Sequence, residues 1–338
     1  MVGAGAFGRF CIEAYRESGD VQVLAVADPD SQALAQVDAP DARLAQDWRD
    51  LLDDSAIEVM HLATPPHLRG EIVFHALSAG KSVFFEKPLA LSLAEADAMI
   101  EAVENRGVGL GVNYVMRHLP AYRILEQLAS SGRIGQLRSI SFQNFAQSLP
   151  SDHWFWDPRK SGGIFVEHGV HFFDAYGRIA GIPTHVSGSS PRREAVEATV
   201  VYDSGVVGRF YHEFAFPREI ERAIGISFFE RGWVEIEGWI PTRLGGAAMV
   251  SLDSLPTIAG DVPHPVLTRD GDVTRFQLDF PDRERSYRSA VVAGMRDMVR
   301  RHRDPAHHMT VSVEEARASL ALALACQEAT TRTTMLSP

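Results

Sequence analysis

The sequence predicts an α/β protein of two domains: a doubly wound parallel sheet, then an α+β domain on a mixed, largely antiparallel open sheet. Three observations predict it. A glycine loop, Gly3-Ala4-Gly5-Ala6-Phe7-Gly8, opens a helix near the N-terminus. Short apolar runs then alternate with helical patterns as far as residue 112, the pattern of βαβ units. After about residue 118 the chain changes to β-rich runs separated by short turn signals, as an antiparallel sheet requires. The expected boundary places residues 1–118 in the first domain and 119–338 in the second.

Each element has a local reason. Val23–Ala27 is a continuous apolar run, as expected of a parallel strand buried on both faces. Trp48, Leu51 and Leu52 share one face of a short helix ahead of the next run, Val59–Ala63. Leu68–Ala79 has a helical pattern stopped by Gly80, and Ser82–Phe85 is another strand. Ser92 is positioned to cap a helix over 92–105, and Val108–Val112 is the last strand of the first domain. In the second domain a helix over 120–131 leads into Leu137–Phe145. There Arg138, Ile140, Phe142 and Asn144 alternate with Leu137, Ser139, Ser141 and Gln143. Segments 196–203, 206–215, 224–229 and 232–238 are further strands, and helices over 286–301 and 312–329 close the chain.

Composition excludes several functions. With 45% hydrophobic and 23% charged residues in 338, the chain has ample material for a core. A net charge of −11 argues against a nucleic-acid partner, because phosphate neutralisation needs clustered Lys and Arg. The one basic run, residues 300–303, is expected to be a solvated helix face. Cys11 and Cys326 lie far apart within helical patterns, as buried thiols in a reducing compartment would. No apolar run approaches the ~20 residues of a membrane span, and the N-terminus lacks a secretory pattern. A cytoplasmic location is the expectation, with neither membrane nor nucleic acid as partner.

The glycine loop matches G-x-G-x-x-G. Its first glycine permits a tight turn, its second lets the backbone approach a pyrophosphate, and its third permits close packing of the helix. Asp28 ends the Val23–Ala27 run about twenty residues on, where a carboxylate holds a ribose 2′-hydroxyl. That carboxylate would repel a 2′-phosphate, so NAD is favoured over NADP, although Arg9 keeps NADP in play. Gly3, Gly5, Ala6, Phe7, Gly8 and Asp28 are therefore candidate cofactor contacts. A strand of about five residues should precede such a loop, yet only Met1 and Val2 do. The first strand is thus expected to be truncated, the chain beginning late, at a cost to stability and to the order of the loop.

Four segments in register resemble one family. They are the glycine loop, Ala63-Thr64-Pro65-Pro66-His67, Phe85-Glu86-Lys87-Pro88-Leu89-Ala90, and the run from Gly163 through Gly169-Val170-His171 to Asp174. Together they resemble the Gfo/Idh/MocA oxidoreductases over most of residues 1–182, more weakly beyond. The resemblance implies a Rossmann domain and a C-terminal sheet that makes a homodimer or homotetramer. It also implies hydride transfer between NAD and a carbon bearing a sugar, polyol or cyclitol hydroxyl. By the same resemblance Thr64, Pro65, His67, Glu86, Lys87 and Asn113 line the dinucleotide cleft. Lys87 would stand at the nicotinamide, often with a cis bond between it and the following proline. An ammonium beside the reacting oxygen is suited to stabilising a developing alkoxide.

Residues 167–174, EHGVHFFD, carry the remaining chemistry. On an α-helix Glu167, His171 and Asp174 share a face while His168 turns about 100° away. Zincins place His-Glu before the gap and their histidines four apart; here the histidines are three apart, so no metal is expected. In the family pattern His171 is the acid–base and Asp174 the later carboxylate, with Glu167 where the family has Asp. Lys87, His171 and Glu167 are the catalytic candidates. Tyr114, Arg117, Trp154, Trp156, Asp174 and His171 are the substrate-side ones; indole faces suit sugar rings. Two rivals stay open: a sugar–dinucleotide sensor on the same fold, and an NAD-dependent glycosidase.

Overall fold

The computed structural model describes residues 1–104, 107–249 and 265–331. They divide into two compact units. The first combines Met1–His118, Asp157–Gly162 and Tyr287–Ala321, and the second contains Leu119–Trp156, Gly163–Ser286 and the chain from Leu322.

In the first unit α1 (Ala6–Ser18) buries Gly8, Cys11, Ile12 and Tyr15, the spacing of one helical face. Then follow β1 (Ala25–Ala27), the one-turn α2 (Ser31–Leu34), β2 (Arg43–Ala45), β3 (Val59–Leu62) and α3 (Arg69–Ser78). The series ends with β4 (Ser82–Glu86), α4 (Leu93–Glu104) and β5 (Leu110–Asn113). Ser92 does cap α4, its Oγ accepting from the Glu95 amide. β1 pairs with β2, and β3 with β4 and β4 with β5, all in parallel. Val2 joins the two groups through parallel bridges to Ala27 and Leu62. The residues ahead of the loop thus pair through single bridges at Val2 and do not form a full strand. A cavity of about 240 Å³ borders Met1, walled by Val23, Ala25, Val59, His61 and Met295 among others.

The second unit begins with α5 (Pro120–Ser131) and β6 (Leu137–Gln147). The one-turn α6 (Pro158–Ser161) belongs to the first unit. After it come α7 (Val170–Ala180), β7 (Pro183–Arg192), β8 (Ala195–Tyr202), β9 (Val207–Phe216), β10 (Arg222–Phe229) and β11 (Gly232–Glu237). β12 (Arg243–Ala248), β13 (Val266–Asp270) and β14 (Val273–Asp279) complete a nine-stranded sheet in the order β13-β14-β12-β11-β10-β6-β9-β8-β7. β6 and β9 run parallel and the other pairings are antiparallel. This is the mixed, largely antiparallel sheet expected. Ile140, Phe142 and Asn144 are buried as their alternation predicts, whereas Arg138 at the strand's start is exposed and pairs with Glu230.

Two helices close the chain, α8 (Arg283–Arg303) and α9 (Val313–Ala329). The basic run at the end of α8 lies on an exposed face as expected, with Arg300 and Arg303 exposed, and it also makes surface contacts. Arg303 pairs with Glu58 at 2.8 Å and His302 Nδ1 lies 2.8 Å from the Ser82 hydroxyl. Arg301 donates to the Pro305 carbonyl. No helix among the described residues is long and apolar enough to cross a membrane. Both cysteines are free and buried.

Behind α7 the sheet carries an aromatic core. Phe142 and Phe172 stack at 3.8 Å, and the fully buried His212 of β9 lies 5.4 Å from both rings. Neither ring nitrogen of His212 has a hydrogen-bond partner among the described residues. Burial, reinforced by His168, pushes its pKa well below the ordinary 6.5. The unfolded chain takes up this proton near pH 6.5, the folded chain only at lower pH. Stability therefore falls as pH drops below about 6.5, by up to ~1.4 kcal/mol per pH unit from this group. His212→Phe should leave the thermal midpoint near pH 7.5 unchanged or higher, and flatten its decline towards pH 5. An equally steep decline in the variant would assign the acid sensitivity elsewhere.

Candidate active site

The cofactor-side candidates all sit in the first unit, where the parallel strands end. Gly3 takes φ +99°, a conformation that glycine adopts without strain, and a Cβ there would lie 3.0 Å from the Ala63 backbone. Its amide donates to Ala27 O at 2.9 Å, holding the loop against the end of β1. A Cβ on Gly8 would stand 2.1 Å from Gly3 O, so loop and helix touch backbone to backbone. Gly5 differs: a Cβ there meets no atom within 4 Å, and as the N-cap of α1 it brings no side-chain acceptor to the helix amides. An open helix N-terminus is what a pyrophosphate would use. The Asp28 carboxylate accepts from the Ala4 amide at 2.7 Å and the Asp30 amide at 2.9 Å. It thereby braces the loop as well as standing where ribose is expected. Phe7 lies 5.8 Å from Phe10 and 5.9 Å from Tyr287.

The other two loops lie beside this one. Thr64, Pro65 and His67 follow β3, and the Lys87–Pro88 peptide that follows β4 is cis. Lys87 is half-buried. Glu86 and Asn113 turn towards each other: Asn113 Nδ2 donates to Glu86 Oε1 at 2.7 Å, and that oxygen lies 3.5 Å from His61 Nε2. Tyr15 completes the network, its hydroxyl 2.9 Å from His61 Nδ1. Cys11, His61 and Glu86 bring potential ligand atoms within 4.8 Å of one another. Burial raises the Cys11 thiol well above its usual pKa, Glu86 adding to it, and burial lowers His61. Both are neutral near pH 7, so the group packs as a polar network beneath α1. Nothing local in the sequence marks Tyr15 or His61.

Of the substrate-side candidates in this unit, Tyr114 is buried, and buried Arg117 pairs with Glu315 at 3.3 Å. The remaining candidates belong to the second unit. Residues 165–169 form a π turn that runs directly into α7, in place of the uninterrupted α-helix expected. A π turn holds i→i+5 bonds, so Glu167 still precedes His171 by about one turn. His171 and Asp174 share the following α-helical stripe and are buried at 6% and 2% exposure. His168 points elsewhere, its ring 5.4 Å from His212 and 5.0 Å from Phe214. Trp156 secures its own loop, donating to Pro150 O at 2.9 Å under Arg193, whose guanidinium carbon lies 5.1 Å from the ring. Trp154 is half-buried beside His153.

Comparison with known proteins identifies the family and the fold. A family model described as "Oxidoreductase family, NAD-binding Rossmann fold" matches residues 1–114, and the "GFO/IDH/MocA C-terminal domain" model matches residues 122–232. Levoglucosan dehydrogenase from Pseudarthrobacter phenanthrenivorans is 36% identical over 165 residues, 49% of this chain and 40% of that protein. The scyllo-inositol 2-dehydrogenase (NAD(+)) of Bacillus subtilis is 33% identical over 147 residues, 43% of this chain and 42% of that protein. These alignments thus span less than half of either relative. A solved levoglucosan dehydrogenase in complex with NADH and L-sorbose superposes with a TM-score of 0.80 at 19% identity, covering 98% of this chain and 95% of that one. The fold is therefore shared end to end.

The two glycines separate packing from ligand approach. Gly8→Ala should lower the stability of the unliganded protein by ~1–3 kcal/mol, because the clash is with backbone. Gly5→Ala should cost no more than ~1 kcal/mol and yet weaken NADH binding at least ~10-fold, read by thermal melts and nicotinamide fluorescence. Equal melting losses in both variants would remove the distinction.

Proposed function

The chain belongs to the Gfo/Idh/MocA oxidoreductase family, and on that premise we propose that it is an NAD-dependent dehydrogenase of a sugar, polyol or cyclitol. One observation carries the proposal furthest. The glycine loop, Asp28, the Thr64 loop and the Lys87 turn all lie at the carboxyl ends of one parallel sheet within one unit, where open α/β sheets bind dinucleotides. The open N-terminus of α1 and the braced Asp28 fit NAD. Its nicotinamide, when bound, supplies the hydride acceptor.

The residues of this chain hold the cofactor and move the proton. The α1 amides meet the pyrophosphate and Asp28 the ribose, where its charge disfavours a 2′-phosphate. His171 takes the substrate hydroxyl proton, Lys87 stabilises the oxyanion, and the carbon becomes a carbonyl as its hydride leaves. Asp174, one turn after His171, is suited to orienting that imidazole or a neighbouring hydroxyl, and Glu167 to the turn before it. A polyhydroxylated ring is the substrate class supported by relatives that act, by name, on scyllo-inositol and levoglucosan. Association through the nine-stranded sheet into a dimer or tetramer belongs to the same proposal, and light scattering would read it; a monomer would remove it.

NADH should bind the purified protein in the micromolar range and NADPH at least ~10-fold more weakly, a difference of about 1.4 kcal/mol. Lys87→Ala and His171→Asn should each lower turnover by ~100-fold or more while changing the NADH dissociation constant less than ~3-fold. A loss of NADH affinity equal to the loss of rate would sink the catalytic assignment.

A further inference from the structure

Arg69 is the first residue of α3 and only 5% exposed. A guanidinium keeps its charge when buried, so its donors must be met. Four of its hydrogen bonds end on backbone carbonyls of two loops. Nε donates to Thr64 O at 2.9 Å, in the loop that follows β3. Nη1 donates to three successive carbonyls after β4: Glu86 O, Lys87 O at 3.0 Å and Pro88 O at 3.1 Å. The guanidinium carbon also stands 6.0 Å from the centre of the Phe85 ring.

The arrangement has a clear physical purpose. Where parallel strands end, their carbonyls leave the ladder and need new donors. The turn at residues 86–88 wraps three of them around one nitrogen, so the backbone that carries Lys87 is fixed by a side chain from the start of α3. Only a planar fork with five N–H donors reaches both loops together; an ammonium offers three donors at a single point.

We propose that Arg69 is the positioning residue for Lys87, tying the Thr64 loop and the Lys87 turn into one rigid body. This rests on the role given to Lys87 above. Arg69 directs Nε and Nη1 to carbonyls, and its proposed part is to hold the backbone, with no part in proton or hydride transfer. The consequence is a division of labour. Cofactor affinity comes from the glycine loop and Asp28, whereas Arg69 governs how accurately the reacting groups are held.

The test uses the full chain with Arg69→Lys and Arg69→Ala. Amide hydrogen exchange, followed by mass spectrometry without substrate, should rise at least ~10-fold in peptides spanning residues 64–68 and 86–91 and stay unchanged at the glycine loop. Turnover should fall ~10–100-fold with the NADH dissociation constant changed less than ~3-fold, the pattern of misplacement by a fraction of an ångström to an ångström. Added methylguanidinium should restore part of the turnover of Arg69→Ala, and methylammonium should not. Should the alanine variant fail to fold, the lysine variant carries the test through exchange and turnover. Unchanged exchange at 86–91, or turnover that falls only in step with melting temperature, overturns the proposal. Absence of NADH binding or turnover in the unmodified protein would instead defeat the dehydrogenase proposal, and exchange would still decide the role of Arg69.

Discussion

The pairing of Val2 on both of its edges is the constraint from which the first unit is built. Its amide donates to His61 O and its carbonyl accepts from Ala63 N, while Met1 and Gly3 exchange bonds with Ala27 on the other side. Along β1 the odd residues therefore face Val2 and the even ones face β2, where Arg43 N reaches Leu24 O. That parity fixes where the chain leaves the sheet, and so where Gly3 must turn. Once Gly3 has turned, Gly8 must sit on its carbonyl, and Asp28 arrives beside the Ala4 amide to brace the result. The geometry of the glycine loop is thus a consequence of strand pairing more than of the glycines alone.

The loops around it needed a different solution. Strand ends supply carbonyls as well as amides, and the amides are the ones that attract an anion. The carbonyls of residues 64 and 86–88 are turned inward and met by a buried cation. The carbonyls are thereby consumed by the protein, whereas the first amides of α1 meet no side-chain cap. In the second unit the sorting is between side chains: α7 buries His171 and Asp174 on one stripe, while His168 is given over to the aromatic core.

Much of this was legible in the sequence because it is local. The glycine motif, the strand–helix alternation, the Ser92 cap and the β6 alternation each declare themselves within a few residues. The rest was not, for identifiable reasons. β7 reads PTHVSGSSPR, two prolines and a glycine among polar residues, and nothing in it alternates. β12 carries Gly245 and Gly246, which look like a turn. Gly246 is there because a Cβ would lie 2.3 Å from the Phe276 ring and 2.4 Å from Trp233 O. The π turn before α7 leaves no residue signature. Arg69 was invisible because its partners are carbonyls, and a carbonyl carries no residue identity. The chemistry of Lys87 and His171 came from a family pattern, and their proposed roles still rest on it.

The first unit is not one stretch of chain, and this matters while the protein is being made. Its strands emerge within the first 118 residues, yet its last stretch, Tyr287–Ala321, leaves the ribosome only after nearly all of the second unit. Arg288 to Glu13, Arg303 to Glu58 and the Ser82–His302 bond all wait for that stretch. Synthesis at about 5–20 residues per second makes the interval one of ten seconds or more. Through it the nascent sheet has apolar surface with nothing yet to cover it. The unit whose translation begins first therefore stays open until nearly all of the second has been made.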